Sequence, residues 1–140
     1  MSVRPITSDD FPAVAAFLAE DETYLFGRPS RLGVADVTAW LSETDLPHDT
    51  WLIEEEGGPV ALGWVELAKE DDAGISVGVV HREWRGRGLG SMLVDRSEDR
   101  LGSLGADRVH NVTLAPDLAA RPLLESRGYG EVRRFWEMTI

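Results

Sequence analysis

One stretch restricts this chain more than any other. It is Val79-Val80-His81-Arg82-Glu83-Trp84-Arg85-Gly86-Arg87-Gly88-Leu89-Gly90-Ser91, an apolar run that turns through glycines and arginines into a helix-forming segment. Glycine at 86, 88 and 90 removes the Cβ atoms that would hold a ligand away from the backbone, and it permits positive φ. The first amides of the following helix lack internal partners and carry the positive end of its dipole. A strand, such a loop and a helix N-terminus together make an anion site, and a pyrophosphate fits it best. Three arginines among residues 82–87 of a chain with net charge −11 favour contact with phosphate over a merely solvated loop.

Charge is divided along the chain. Residues 1–72 carry 16 acidic and 4 basic side chains, residues 73–140 carry 9 and 10. The balance argues against sequence-independent nucleic-acid binding, which needs clustered cations. It fits an arginine-bearing half for an anion and an acidic half that attracts a cation, or simply a soluble surface. The 140 residues suit one domain, with 43% apolar residues as in ordinary globular chains. There is no cysteine, which removes thiol chemistry and thiolate metal sites. The three histidines, His48, His81 and His110, show no metal-ligand spacing, so no metal is expected. No apolar run reaches signal-peptide or membrane-spanning length, and the expectation is a cytoplasmic protein without membrane partners.

Taken in order, residues 3–6 read as a strand, and Thr7-Ser8-Asp9-Asp10 supplies a cap for a helix with Phe11, Val14, Ala15 and Leu18 on one face. Gly27 and Pro29 break the pattern, and residues 36–41 predict a second short helix. Residues 50–55 and 60–68 form a hairpin about Glu56-Gly57-Gly58-Pro59, and residues 75–80 are the next strand. A helix with Leu89, Met92, Leu93, Leu101 and Leu104 on its apolar stripe ends near Gly102 or Gly105. A strand at 108–114, a helix from Asp117 to about Arg127 and a strand at 132–140 complete the order. The fold class is α/β (α+β): a mixed central sheet of about six strands with about four helices, ordered β-α-α-β-β-β-α-β-α-β.

Arg85-Gly86-Arg87-Gly88-Leu89-Gly90 resembles the Arg/Gln-x-x-Gly-x-Gly/Ala signature of the GCN5-related N-acetyltransferase (GNAT) superfamily. Val80-His81-Arg82-Glu83-Trp84 is similar to that family's lead-in, with Arg82 in place of the usual proline. Asp117-Leu118-Ala119-Ala120, continuing to Gly128-Tyr129, resembles its closing helix, with Asp117 at the position of an asparagine. The resemblance covers nearly the whole chain and implies a single domain over residues 1–140 with the GNAT fold.

It implies acetyl-CoA as co-substrate, held at Gly78, Val79, Val80, Arg85, Gly86, Arg87, Gly88, Leu89, Gly90, Ser91 and Asp117. The backbone of residues 78–80 would align the pantetheine, and one amide there would face the oxyanion. The region between the first two helices would cover the acceptor, a small-molecule or peptide amine, which makes Tyr24, Phe26 and Trp40 pocket candidates, although such aromatics also serve as core. Candidates for the base that takes the amine's proton are Glu66, Asp72 and His110. The strand-four position that carries glutamate in some relatives is Gly74, and the strand-five position used by others is Val112, which shares a face with His110. Leu124 stands where many relatives place the tyrosine that protonates the departing thiolate. That leaves a second reading, an acyl-CoA-binding sensor or partner module with weak catalysis. The acceptor and the oligomeric state, a homodimer included, stay open.

Two other motifs fail on context. Gly74-Ile75-Ser76-Val77-Gly78 matches a nucleophile elbow, but strand continues after Ser76. Gly86-x-Gly88 comes late in the chain and several residues after its strand, unlike a dinucleotide fingerprint.

Overall fold

The computed structural model describes residues 2–67, 73–112 and 120–130. Among the described residues five strands form one sheet in the order β1-β2-β3-β4-β5. They are β1 (Ser2–Arg4), β2 (Thr50–Glu55), β3 (Gly58–Leu67), β4 (Ala73–Val80) and β5 (Arg108–Val112). All neighbours run antiparallel except β4 and β5, which are parallel. The helices are α1 (Phe11–Phe26), α2 (Val34–Leu41), α3 (Leu46–Asp49), α4 (Leu89–Ser103) and α5 (Ala120–Ser126). This is the expected mixed architecture. The strand expected at 132–140 lies outside the described residues.

Two details depart from the sequence pattern. α1 continues to Phe26, past the point where its apolar spacing fades, because nothing stops it before Gly27, whose φ of 70° closes the helix with an N–H donated to Thr23 O. α3, a single turn, has no periodicity to reveal it. Its carbonyl at Leu46 accepts from the buried Thr50 hydroxyl (2.7 Å), which in turn accepts from Ile6 N–H (2.8 Å), and Asp49 takes a 2.6 Å bond from Arg100 Nε. Ile6 and Arg100 are remote from it in sequence.

The entry to α1 follows its residues closely. Asp10 Oδ2 accepts from the Thr7 amide (2.7 Å), and both carboxylate oxygens accept from the Arg4 guanidinium (2.7 and 2.8 Å). Arg4, and after it the Thr7 donors, hold the Asp10 carboxyl far below the usual carboxylate range against the opposing effect of burial. The folded value lies below the unfolded one, so this contribution is present above about pH 4 and is lost as pH falls toward the folded value. Asp10→Asn should therefore lower the melting temperature at pH 7, and the gap to the parent should close as pH is taken below about 4. A gap independent of pH would remove the ionic contribution.

The sheet has a helix layer on each face. On one, α1 and α2 cover Leu52, Leu62 and Trp64 with Val14, Phe17, Leu18, Val37 and Leu41. On the other, Leu89 and Leu93 of α4 pack on Ile53, Val60 and Ala61. α4 sits close because the strand residues beneath it are glycines. Leu93 lies over Gly63 and Gly78, which face each other across β3 and β4, and Leu101 lies over Gly74. At its far end α4 stops at Gly105 (φ 89°), where Ala106 N–H reaches Leu101 O and Gly105 N–H reaches Gly102 O. This close seating fixes the start of α4, and with it the loop in front, against the end of β4.

Candidate active site

A cavity of about 250 Å³ opens between the end of β4, the start of α4, β5 and α5. Its mouth is the loop. Gly86 and Gly88 hold φ of 78° and 84°, the left-handed region in which a Cβ is strained, and Gly88 caps α4. Met92 N–H is the first amide of the helix to find a backbone partner, Gly88 O at 3.0 Å. Gly88, Leu89, Gly90 and Ser91 all line the cavity, and their amides precede the first helical bond. Four donors at the positive end of a 15-residue helix make a place for a diphosphate-sized anion.

One wall is the edge of β4. Its described pairing to β5 ends at Val77↔Val112, while β4 runs on to Val80. Gly78 and Val80 line the cavity. Val79 points to the other face and packs against the α1–α2 core, so only its backbone can take part on the cavity side. Asp117 and Asp72 lie outside the described residues.

The arginines divide. Arg85 lines the cavity. The Arg87 guanidinium lies over the Trp84 ring, 4.3 Å from its centroid, and Trp84 is itself part of the lining. Arg82 is turned to α1, where its Nη1 donates to Glu20 Oε1 (3.1 Å).

The inner end is polar, which the sequence did not announce. Ser76 of β4 and Ser97 of α4, each 2% exposed, and Asn111 of β5 line it. Ser76 and Asn111 are register partners on parallel strands and so face the same way. Among the described residues the buried Asn111 Nδ2 makes no hydrogen bond, although it lies by the Tyr129 hydroxyl. The two-residue alternation Gly74, Ser76, Gly78 beneath an apolar helix stripe was the available signal. Burial, and then the Glu98 carboxylate that accepts its hydrogen bond (3.1 Å), push the Tyr129 hydroxyl up to about 12, so it stays protonated. Leu123 and Leu124 of α5 close the cavity from outside.

Glu66 and His110 occupy the opposite face of the sheet. Both pair with Ile75, Glu66 from β3 and His110 from β5, so they form one row, about 10 Å apart at two strand spacings. Both are exposed. Trp64, two residues before Glu66 on the same face, stacks with Trp40 at 6.4 Å and 25°. Trp40 (48% exposed), Tyr24 (55%) and Phe26 (37%) are surface residues and not core, and none of them lines the cavity. Among the described residues no group of three His, Asp or Glu comes together that could hold a metal, and no helix is long and apolar enough to cross a membrane.

Comparison with known proteins gives the same outline. A sequence model described as Acetyltransferase (GNAT) family matches residues 6–129. The chain is 33% identical over 88 residues to a mycothiol acetyltransferase of Beutenbergia cavernae, an alignment covering 61% of this chain and 30% of that protein. The chain thus spans under a third of the length of the curated relative it matches. A GCN5-related N-acetyltransferase from Sphaerobacter thermophilus superposes with a TM-score of 0.84 at 24% identity, over 94% of this chain and 44% of that one. Ribosomal-protein-alanine N-acetyltransferase from Brucella melitensis does so at 0.74 and 17%, over 95% and 86%. yncA of Salmonella typhimurium, solved with its cofactor acetyl-CoA, does so at 0.72 and 18%, over 92% and 79%.

Proposed function

We propose, from the premise that this chain belongs to the acetyltransferase (GNAT) family, that residues 1–140 act as one cytoplasmic N-acetyltransferase domain that moves acetyl from acetyl-CoA to a primary amine within a ternary complex. The observation that carries the cofactor assignment is the row of amides at Gly88, Leu89, Gly90 and Ser91, without helical partners, at the mouth of a cavity beside the β4 edge. The residues suit the group: two left-handed glycines let a diphosphate approach the backbone, and Arg85 adds charge. Bound there, acetyl-CoA supplies an acyl group already activated as a thioester.

The chain's own contribution is orientation, proton transfer and polarisation. The Gly78–Val80 backbone aligns the thioester arm, and an amide there donates to the carbonyl oxygen as it gains charge. The acceptor amine enters from the α1–α2 face, where Glu66 and His110 stand ready to take its proton. The exposed Glu66 carboxylate next to the Trp40–Trp64 stack, in a half that carries 16 acidic side chains, favours a cationic small molecule or peptide terminus.

Titration calorimetry with acetyl-CoA and CoA, followed by thiol release over a panel of amines, tests the reading. Binding with turnover on a cationic amine supports it, and absence of heat with either nucleotide overturns it. Tight binding without turnover on any amine turns it into the sensor reading, which Leu124 in the cavity wall favours because its side chain has no proton to give. Leu124→Tyr should raise the rate of thiol release about ten-fold and add a fall in kcat near pH 10, where a phenol ionises. An unchanged rate and pH profile would show that water already protonates the thiolate well enough.

A further inference from the structure

α1 and the loop in front of α4 are joined by a cluster of side chains that lies outside the cavity lining. Phe17, Glu20 and Tyr24 lie at i, i+3 and i+7 along α1 and so share one stripe. His81 and Arg82, the two residues after β4, meet that stripe. His81 Nε2 is 3.2 Å from Glu20 Oε1, and Arg82 Nη1 donates to the same oxygen at 3.1 Å. The Arg82 guanidinium lies 4.8 Å from the centroid of the Tyr24 ring, and the His81 ring is 6.4 Å from that of Phe17.

The His81 ring also has its other nitrogen committed. Glu83 N–H donates to Nδ1 (3.1 Å), so the ring proton belongs on Nε2, facing the carboxylate. The His81 backbone amide donates to Val60 O (2.8 Å), and Trp84 N–H to His81 O (2.8 Å). The single turn that leads into the glycine loop is therefore held by β3 below and by Glu20 from the side. Hydrogen bonds from His81 first and Arg82 next keep the Glu20 carboxyl below its ordinary range, so it is an anion at neutral pH.

We propose that Glu20 is a positioning residue for the cofactor loop: through His81 and Arg82 it fixes the turn at residues 81–84 and so sets the attitude of the amides at 86–91. The proposal rests on the cofactor reading above. Among the described residues Glu20 is bonded to His81 and Arg82 and is not part of the cavity lining, so it acts through these two partners.

The test compares Glu20→Gln, Glu20→Ala and Arg82→Pro with the parent chain, in calorimetry with acetyl-CoA and in steady-state kinetics on whichever amine the panel yields. Proline suits the first position of a short helical turn, so Arg82→Pro keeps the turn while it removes the guanidinium and one amide N–H. Glu20→Ala is expected to weaken acetyl-CoA binding about five- to ten-fold and raise its KM in proportion, with kcat within about two-fold, the scale of one half-exposed charged cluster. Glu20→Gln, which keeps an acceptor for His81 but loses the charge, should fall between, at about two- to three-fold. Arg82→Pro should match it, and the Glu20→Ala, Arg82→Pro double variant should be no worse than Glu20→Ala alone.

Dissociation constants within two-fold of the parent for Glu20→Ala would overturn the proposal. So would a fall in kcat at constant KM, because that would place Glu20 in the chemical step. If the parent itself gives no heat with acetyl-CoA, the cofactor reading fails first. Parent binding with unaltered variants removes the positioning role alone.

Discussion

Gly86→Ala, Gly88→Ala double variants should retain the fold and lose acetyl-CoA. Both residues sit at φ near 80°, where an L side chain costs about 1–2 kcal/mol each. The loop escapes that strain by leaving the left-handed region, which swings the amides of residues 86–91 away from a common point. At about 1.4 kcal/mol per decade, two such positions correspond to a roughly 30- to 700-fold weaker dissociation constant. The cost falls on binding because nothing lies within 4 Å of a Cβ added at either glycine, so no core contact is disturbed. Calorimetry against the parent, with circular dichroism as the control for folding, reads the result. Retention of binding within three-fold would show that the anion is held by arginine side chains and not by the peptide groups.

A second large effect is expected in the seat of α4. Leu101 has no exposed surface, and Leu101→Ala should cost about 2–5 kcal/mol, or roughly 6–15 °C in melting temperature for a chain of this size. Beneath it, a Cβ added at Gly74 would fall 2.5 and 2.7 Å from the two Leu101 methyl carbons. In the parent, Gly74→Ala should therefore cost about 1–3 kcal/mol through overpacking. In the Leu101→Ala background the same substitution no longer meets those atoms and should be neutral or stabilising. The coupling between the two changes is thus opposite in sign to simple accumulation, and thermal melts of the four chains measure it. Additive losses would mean that α4 is not fixed by this contact.

These two regions were not equally legible in the sequence. The glycine loop was readable because its chemistry is local: alternate glycines between an apolar run and a helix stripe specify a turn that exposes amides, and the structure places that turn between β4 and α4. The hairpin of β2 and β3 and the cap at Thr7–Asp10 are local in the same sense. What stayed hidden depends on register. Glu66 and His110 are 44 positions apart, and only the pairing of both with Ile75 puts them in one row. The polar end of the cavity is similar. Ser97 reads as an interruption in an apolar stripe until the sheet places Ser76 and Asn111 across from it. Exposure of Tyr24 and Trp40 followed from neither spacing nor composition, since an aromatic on an amphipathic helix reads alike whether it packs inward or faces an open groove. Arg82 could be assigned only once α1 was known to continue far enough to bring Glu20 and Tyr24 alongside.

The cavity's two long walls differ in how they are held. α4 is anchored by leucines set into glycine hollows, whereas α5 has no buried residue. α5 is secured at its end by the Arg127–Asp95 ion pair and the Tyr129–Glu98 hydrogen bond, with Leu123 resting against Gly90. Segments without buried contacts open at a lower free energy than those set into the core. The two walls therefore differ in local stability: the α4 wall shares the stability of the core, while the described part of α5 rests on contacts at the surface.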